Sequence, residues 1–186
     1  MPTLFRVFPL APSVHPGDPG GALYVPPQGG GRIDNPGVYS VLYLSDAAAG
    51  AIAEAFGRFP EWTPAILEGS PSLPGSVRAI ARYHLPAGVR ICDLNEPAQL
   101  MELNLKPSSV VSRDDSRTRG WARRIHDEGA WAGIRWWSYY DSRWASLGLW
   151  DVSELRLEEV TVLRLDDAFL LEAARTIARR VTSKAG

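Results

Sequence analysis

The chain has 186 residues, of which 45% are hydrophobic and 22% are charged, and this composition is typical of a single globular domain, 1–186, with a substantial core. The formal net charge of −1 argues against the basic surface of a protein that binds nucleic acid directly. No stretch reaches the roughly eighteen apolar residues of a membrane helix, and the start has no basic leader, so we expect a cytoplasmic protein that does not contact a membrane.

A loop rich in glycine and proline lies near the start of the chain. Almost half of residues 9–37 are Gly or Pro, which disfavours both a helix and a central strand. Loops of this length inside a compact domain are usually functional or disordered. The loop ends in GGGRIDNPG, where consecutive glycines allow a ligand to approach the backbone and present Arg32 at the tip.

A strand and a helix are predicted directly after the loop. Residues 38–45, VYSVLYLS, are rich in β-branched and aromatic side chains and predict a strand that carries Tyr43. Ser45 or Asp46 is expected to cap the next helix. Glu54 lies on this helix with small residues one turn before it, so we expect a cleft beside its carboxylate. The small residues are Ala47, Gly50 and Ala51, and the apolar stripe is Ala48, Ile52, Ala55, Phe56 and Phe59.

The remaining elements mix strands and helices. Strands are predicted over 77–85, 89–94, 131–138 and 159–165, and helices over 97–105, 116–128 and 166–186. Pro107 is expected to end the first of these helices, and Gly129 the second. The last helix has one apolar face and is interpreted as purely structural. The aromatic-rich stretch after Ser138 predicts no regular element.

The order of the elements favours an α+β fold, namely a compact mixed sheet with flanking helices, because it lacks a strict βαβ rhythm. The run GGGRID has neither the third glycine of a dinucleotide fingerprint nor the Lys–Ser/Thr pair of a P-loop. Neither of these two nucleotide-binding folds is therefore expected.

The cysteine and histidine content predicts no metal site. Cys92 is the single cysteine, which excludes an internal disulfide and a Cys-x-x-Cys motif. A buried structural thiol is preferred to a nucleophile at this position. His15, His84 and His126 are far apart in sequence and form no metal-binding pair of the HExxH type.

Several arginines crowd the segment 113–124, but acidic residues interleave with them and follow them. A solvated helix face is therefore preferred to a phosphate-binding patch. The arginines are Arg113, Arg117, Arg119, Arg123 and Arg124, and the acidic residues are Asp114, Asp115, Asp127 and Glu128.

Three polar residues stand in blocks that resemble the RES-domain family, which is named for an Arg, a Glu and a Ser. Arg32 lies in GGGRIDNPGVYSVLYLS, Glu54 in AAAGAIAEAFG and Ser138 in WAGIRWWS. The opening LFRVFP, with Arg6, and the segment RTRGWARRI are also similar to family features. These blocks cover most of the chain, so the resemblance does not depend on one short motif.

The resemblance implies a fold similar to ADP-ribosyltransferases and an activity that consumes NAD by hydrolysis or phosphorolysis. It also implies a toxin held in check by a helix-turn-helix antitoxin of the Xre type. In this view 9–37 is an active-site loop, Arg32 grips the pyrophosphate, Tyr43 stacks on the nicotinamide, and Glu54 stabilises the electron-poor ribose. Ser138 hydrogen-bonds the ribose or the amide, and Asn35 contributes to NAD binding.

Other interpretations stay open at this point. The same residues fit an ADP-ribosyltransferase that modifies a macromolecule. They also fit a non-catalytic protein with a vestigial NAD pocket, whose aromatic-rich region 131–150 binds a partner. Taken singly, Arg32 is more often a surface loop residue, Tyr43 a core aromatic, Glu54 a solvated helix position and Ser138 a turn residue. Assembly into a homo-oligomer is neither predicted nor excluded.

Overall fold

The computed structural model describes residues 3–112 and 114–183. The strands are β1 (Thr3–Leu10), β2 (Leu42–Ser45), β3 (Glu61–Trp62), β4 (Val77–His84), β5 (Ile91–Asp93), β6 (Gly133–Trp137), β7 (Ala145–Leu149), β8 (Arg156–Val162) and β9 (Arg180–Val181). The helices are α1 (Ala48–Phe56), α2 (Pro97–Glu102), α3 (Pro107–Val110), α4 (Asp115–Asp127) and α5 (Ala168–Thr176), and one 3-10 turn covers Pro64–Leu67.

Seven of the described strands form one mixed sheet in the order β5–β6–β7–β2–β1–β4–β8. Strand β5 runs parallel to β6, and the other neighbouring pairs are antiparallel. Strands β3 and β9 form a separate parallel pair. The predicted α+β class, a mixed sheet with flanking helices, is confirmed.

The sheet is weakly joined between β1 and β2. Strand β1 pairs with β4 along its whole length, and β2 pairs with β7 along its whole length. Within the described residues, one register pair, Phe5 with Ser45, joins β1 to β2. The two strands therefore diverge, and we call the gap between them the seam.

Helix α1 packs between the sheet and α5. Its alanine-rich sequence favours a helix, and its buried face lies against α5 in one apolar cluster that includes Ile52, Phe56, Leu170 and Ala174. Gly50 permits a close approach, since a Cβ atom there would lie 2.5 Å from Ser45 Oγ. The predicted caps are wrong: α1 begins after Ala47, whose amide donates to Ser45 Oγ, while Asp46 accepts the amide of Ala145.

Two further apolar clusters complete the core. One contains Leu4, Phe8, Leu44 and Tyr83 together with Ala22 from the loop, so the loop covers this part of the sheet. The other joins the buried face of α4 to β6 and to the end of the loop, through Trp121, Ile125, Ile134, Trp136, Ile33 and Tyr39. The loop is thus packed into the core at two places, and its tip has a fixed position.

The loop begins and ends later than predicted. Strand β1 occupies 3–10, which the sequence did not reveal as a strand. Residues 38–40 belong to the loop because the amides of Val38 and Tyr39 both donate to the Asn35 carbonyl and close a turn. The loop therefore runs over 11–41, and β2 keeps only the second half of the predicted strand.

Other boundaries also differ from the prediction. The final helix ends at Thr176, because Ala178 has a φ of 54° and Arg180–Val181 pairs as a strand with Glu61–Trp62. Residues 184–186 of the predicted helix lie outside the described residues. Pro107 begins α3, where its fixed φ suits the first turn of a helix. Strand β7 occupies part of the stretch that predicted no regular element.

The described ranges contain no helix that is long and apolar enough to cross a membrane. They also contain no group of three His, Cys, Asp or Glu side chains that would suit a metal ion. Cys92 is a buried free thiol, and burial raises its pKa to about 12, so it stays protonated at neutral pH.

Candidate active site

A cavity of about 530 Å³ lies at the seam, which is within the usual size range of a small-molecule site. Its lining residues come from β1, the loop, β2, α1, β6 and β7. The polar and aromatic ones are Phe5, Arg6, Arg32, Tyr43, Ser45, Glu54, Trp136, Tyr139 and Ser146, and the others include Val7, Gly30, Gly31, Val41 and Ala51. The divergence of β1 from β2 thus creates a space into which both halves of the sheet contribute side chains.

Glu54 lies in this cavity with its carboxylate held by serine hydroxyls. Ser138 Oγ donates to Glu54 Oε1 at 2.7 Å, and Ser146 Oγ donates to the same oxygen at 3.4 Å. Both serines are buried, while Glu54 itself is exposed to the cavity. The second carboxylate oxygen, Oε2, takes no part in these two bonds. The carboxylate is thus oriented from the protein side and open towards a ligand.

Of the small residues before Glu54, Ala51 lines the cavity and Gly50 faces Ser45 and Trp144 instead. The expected cleft beside Glu54 is therefore present, but the glycine at position 50 is explained by close packing of α1 on Ser45 of β2 and on Trp144.

Arg32 is held at the tip of the loop by contacts with α3 and α4. Its Nη1 donates to the Val110 carbonyl at 3.1 Å, and its own carbonyl accepts from Thr118 Oγ1 at 2.5 Å. Arg119 donates to the carbonyls of Gly31 and Gly29. Backbone carbonyls of the loop are thus paired with α4 and the Arg32 guanidinium with α3, and Arg32 lines the same cavity as Glu54.

The interpretation of the arginine cluster as a solvated helix face therefore does not hold for Arg119. Arg123 does fit that interpretation, because it pairs with Asp127 while both side chains are about half exposed, at 45% and 50%. Arg119 instead binds the loop. Arg113 lies outside the described residues.

Tyr43 contributes its ring to the cavity and its hydroxyl to the loop. The hydroxyl donates to Asp34 Oδ1 at 2.6 Å and accepts from the Ile33 amide at 3.3 Å. Its ring meets Trp136 edge to face, with centroids 6.4 Å apart. Burial, followed by the bond to the Asp34 carboxylate, raises the pKa of Tyr43 well above its ordinary value. The phenol is therefore neutral at physiological pH.

Arg6 is a second cation of the cavity. Its Nη1 donates to the carbonyls of Ala22 and Tyr24, so the loop holds this side chain too. Burial lowers its pKa, which nevertheless starts from a value so high that the guanidinium stays charged. The sequence singled out Arg6 only as part of a family-like block and gave it no role.

Asn35 and Ser138 are placed differently from Arg32, Tyr43 and Glu54. Asn35 is not among the lining residues; its side-chain amide donates to Tyr39 Oη at 2.7 Å and to the Arg119 carbonyl at 3.1 Å, so it ties the loop to α4. Ser138 is also not a lining residue, and it is linked to the cavity by its hydrogen bond to Glu54. The structure therefore brings Arg32, Tyr43, Glu54 and Ser138 together and puts Asn35 behind them.

Sequence reasoning missed Asp34 and Ser146. Ser146 is a polar residue within the apolar strand ASLGL, and Asp34 is a buried carboxylate, 3% exposed, that directly follows the Arg–Ile pair of the loop. Of the five tryptophans near Ser138, Trp136 lines the cavity, while Trp144 belongs to the buried cluster of α1 and α5. Trp136 is also part of the buried cluster that joins α4 to β6, so both of these side chains contribute to core packing.

Fold and cavity together define an α+β domain with a cleft that one carboxylate, Glu54, and two arginines, Arg6 and Arg32, line. The RES domain profile matches residues 4–171. The chain therefore belongs to the RES domain family, and the resemblance seen in its sequence is confirmed.

One solved structure extends the comparison to the fold. The chain is similar to a chain in the crystal structure of the M. tuberculosis MbcT–MbcA toxin–antitoxin complex, with a TM-score of 0.59 and 13% sequence identity. The similarity covers 95% of this chain and 89% of that chain. At this level of sequence identity, the structural similarity shows a shared fold and nothing more. A search of curated proteins finds no match.

Proposed function

We propose that this protein is an NAD-consuming enzyme that cleaves the bond between nicotinamide and ribose, as a glycohydrolase or a phosphorylase. The observation that carries the proposal is that Glu54 and Arg32, which lie on different elements, line the same cavity of about 530 Å³. A cavity lined by a carboxylate and by arginines suits a substrate that carries two phosphates and develops positive charge on a sugar carbon.

In this reaction the protein mainly positions the substrate and stabilises the charge that develops on it. The bond between ribose C1′ and the pyridinium nitrogen breaks, and its electron pair leaves with nicotinamide, which becomes neutral. The ribose is left as an oxocarbenium ion, and the Glu54 carboxylate stabilises this cation. Water or phosphate then bonds to C1′, and attacking water gives up one proton to the surrounding solvent. The products are nicotinamide and either ADP-ribose or its 1-phosphate.

The other residues bind and orient the substrate in this proposal. Arg32 and Arg6 attract the pyrophosphate, and a planar guanidinium suits phosphate oxygens. Tyr43 stacks on the nicotinamide ring. Ser138 and Ser146 hold Glu54 Oε1, so the carboxylate needs no rearrangement as charge develops.

We further propose that the enzyme is the toxin of a toxin–antitoxin pair, acts in the cytoplasm, and is inhibited by a helix-turn-helix antitoxin of the Xre type. Family membership supports this proposal, as does the shared fold with a chain of the MbcT–MbcA toxin–antitoxin complex. Toxicity on expression, with relief by an adjacent helix-turn-helix gene, is the expected result. Unimpaired growth with folded and active protein would contradict the toxin role.

The decisive experiment is to incubate the purified protein with NAD, with and without phosphate, and to measure released nicotinamide. Glu54→Gln should abolish release, because the amide keeps the shape and loses the negative charge. Glu172→Gln, on the exposed side of α5, is the matched control and should behave as wild type. Folded wild-type protein that releases no nicotinamide under either condition would refute the proposal.

The products of the same assay separate the alternatives. Free ADP-ribose indicates hydrolysis, and its 1-phosphate indicates phosphorolysis. Label from NAD that appears on a macromolecule instead indicates an ADP-ribosyltransferase. Tight NAD binding without turnover indicates a vestigial site in an interaction protein.

A further inference from the structure

Asp34 is a buried carboxylate at the base of the glycine run, and it is built into the loop by hydrogen bonds. Its Oδ2 accepts the amides of Gly29 at 2.8 Å and Gly31 at 2.7 Å, and its Oδ1 accepts the Tyr43 hydroxyl at 2.6 Å. A buried charge is costly unless it is hydrogen-bonded in this way. Asp34 therefore has a defined function in the fold, and it lies behind the cavity without lining it.

The Tyr43 hydroxyl has no proton left for a ligand. A phenol has one O–H donor, and here it points to Asp34, while the Ile33 amide occupies the oxygen from another side. Gly31 packs against the same group so closely that a Cβ atom there would overlap the Tyr43 hydroxyl. The part of Tyr43 that remains available to the cavity is its ring.

We infer that Asp34 is a positioning residue that fixes the Tyr43 ring as a stacking wall, and that Tyr43 acts on the substrate through this ring and not through its hydroxyl. This inference rests on the proposed function for its substrate, NAD. In this inference Tyr43 recognises the flat pyridinium ring of the substrate, and Asp34 holds the Tyr43 ring in place. Stabilisation of the positively charged ribose is still the role of Glu54.

Kinetics of three variants test the inference. Tyr43→Phe and Asp34→Asn should each raise the KM for NAD about five-fold with kcat nearly unchanged, the size expected for the loss of one hydrogen bond. The double variant should be no worse than the worse single one, because Asp34 acts through Tyr43. Asp151→Asn is the matched control, since Asp151 caps an exposed turn at Ser153 away from the cavity. It should leave both constants unchanged.

Two outcomes would overturn the inference. A loss of kcat by about 100-fold in Tyr43→Phe would show that the hydroxyl takes part in proton transfer. Additive effects in the double variant would show that Asp34 and Tyr43 act separately.

A measurement without substrate separates this inference from the proposed function. With tyrosine labelled by ¹³C at the ring Cζ, the Tyr43 signal is assigned by its loss in Tyr43→Phe and followed against pH. It should ionise at lower pH in Asp34→Asn than in wild type, and identical titrations would refute the link. If Asp34→Asn does not fold, the Asp34 carboxyl is followed instead, and it should titrate at higher pH in Tyr43→Phe. If wild type cleaves no NAD, the proposed function fails while these titrations still decide the role of Asp34.

Discussion

Gly148→Ala tests how the loop that carries Arg32 is seated on the sheet. Gly148 is the penultimate residue of β7, and a Cβ atom there would overlap Ile33 Cδ1 and lie 3.0 Å from Val41 Cγ1. Ile33 is fully buried, so its δ carbon has close-packed neighbours and little room to move. We expect the substitution to destabilise the fold by about 1–3 kcal/mol, as overpacking does.

A second substitution tests whether the destabilisation by Gly148→Ala comes from contact with one atom, Ile33 Cδ1. Ile33→Val removes the δ carbon that the new Cβ would meet, at a cost of about 0.5–1.5 kcal/mol when made alone. Gly148→Ala should therefore cost clearly less in the Ile33→Val background than in wild type, with a coupling of about 1 kcal/mol.

Urea unfolding followed by tryptophan fluorescence measures these free energies, and thermal unfolding should show a fall of about 2–4 °C for each kcal/mol lost in a chain of this size. Strict additivity of the two substitutions would refute the reasoning, because it would mean that Ile33 Cδ1 is not what the new methyl group meets.

Three further predictions follow from the loop and the core. Burial acts to raise the pKa of Asp34, but hydrogen bonds from Tyr43, Gly29 and Gly31 outweigh it, so the pKa is lowered overall. The ionised Asp34 carboxylate therefore stabilises the fold fully above the ordinary pKa of about 3.9, and this stabilisation is lost as pH falls through the lower pKa of the folded state. The stability advantage of wild type over Asp34→Asn in urea should accordingly shrink below about pH 4, and a constant difference would contradict this. Arg119→Met should cost about 0.5–1.5 kcal/mol by freeing two loop carbonyls, whereas exposed Arg117→Met should stay within about 0.5 kcal/mol. Cys92 should resist a thiol reagent in the native state and react fully in urea; rapid native labelling would show that the thiol is accessible.

The elements that the sequence predicted are those whose local pattern agrees with their final environment. Helix α1 has its alanines and apolar residues at helical spacing, and β4 alternates between a buried and a more exposed face. For α4, Asp114 accepts the amides of Ser116 and Arg117, so the start of the helix is specified locally. In these cases a window of ten residues contains the deciding information.

The elements that were missed depend on distant partners. Strand β7, ASLGL, contains Gly and Ser and is buried at every position, so it shows no alternation; its neighbours β2 and β6 make it a strand. Helix α5 shows the opposite error, because Ile177 and Val181 continue the helical spacing although the chain turns at Ala178 to pair with β3. Pairing with a remote strand prevailed over local periodicity in both.

The candidate site was predictable in its composition and not in its arrangement. The motif blocks indicated Arg32, Tyr43, Glu54 and Ser138, which the fold brings to one place. The sequence did not reveal that Ser138 and Ser146 converge on one oxygen of Glu54, since these contacts join residues far apart in the chain. It also did not reveal that Asp34 holds the Tyr43 hydroxyl, because that contact depends on how the loop folds back on β2.

The seam also has a mechanical consequence. In the described chain the half-sheets β5–β6–β7–β2 and β1–β4–β8 share the facing pair Phe5 and Ser45, while α1 contacts strands of both halves. Strands of both halves also contribute to one apolar cluster, which includes Tyr83 and Leu44, so side-chain packing and α1 join the halves where backbone pairing is sparse. A ligand bound in the cavity would contact both half-sheets and should restrict their relative motion. Slower amide exchange in β1 and β2 on ligand binding would show this.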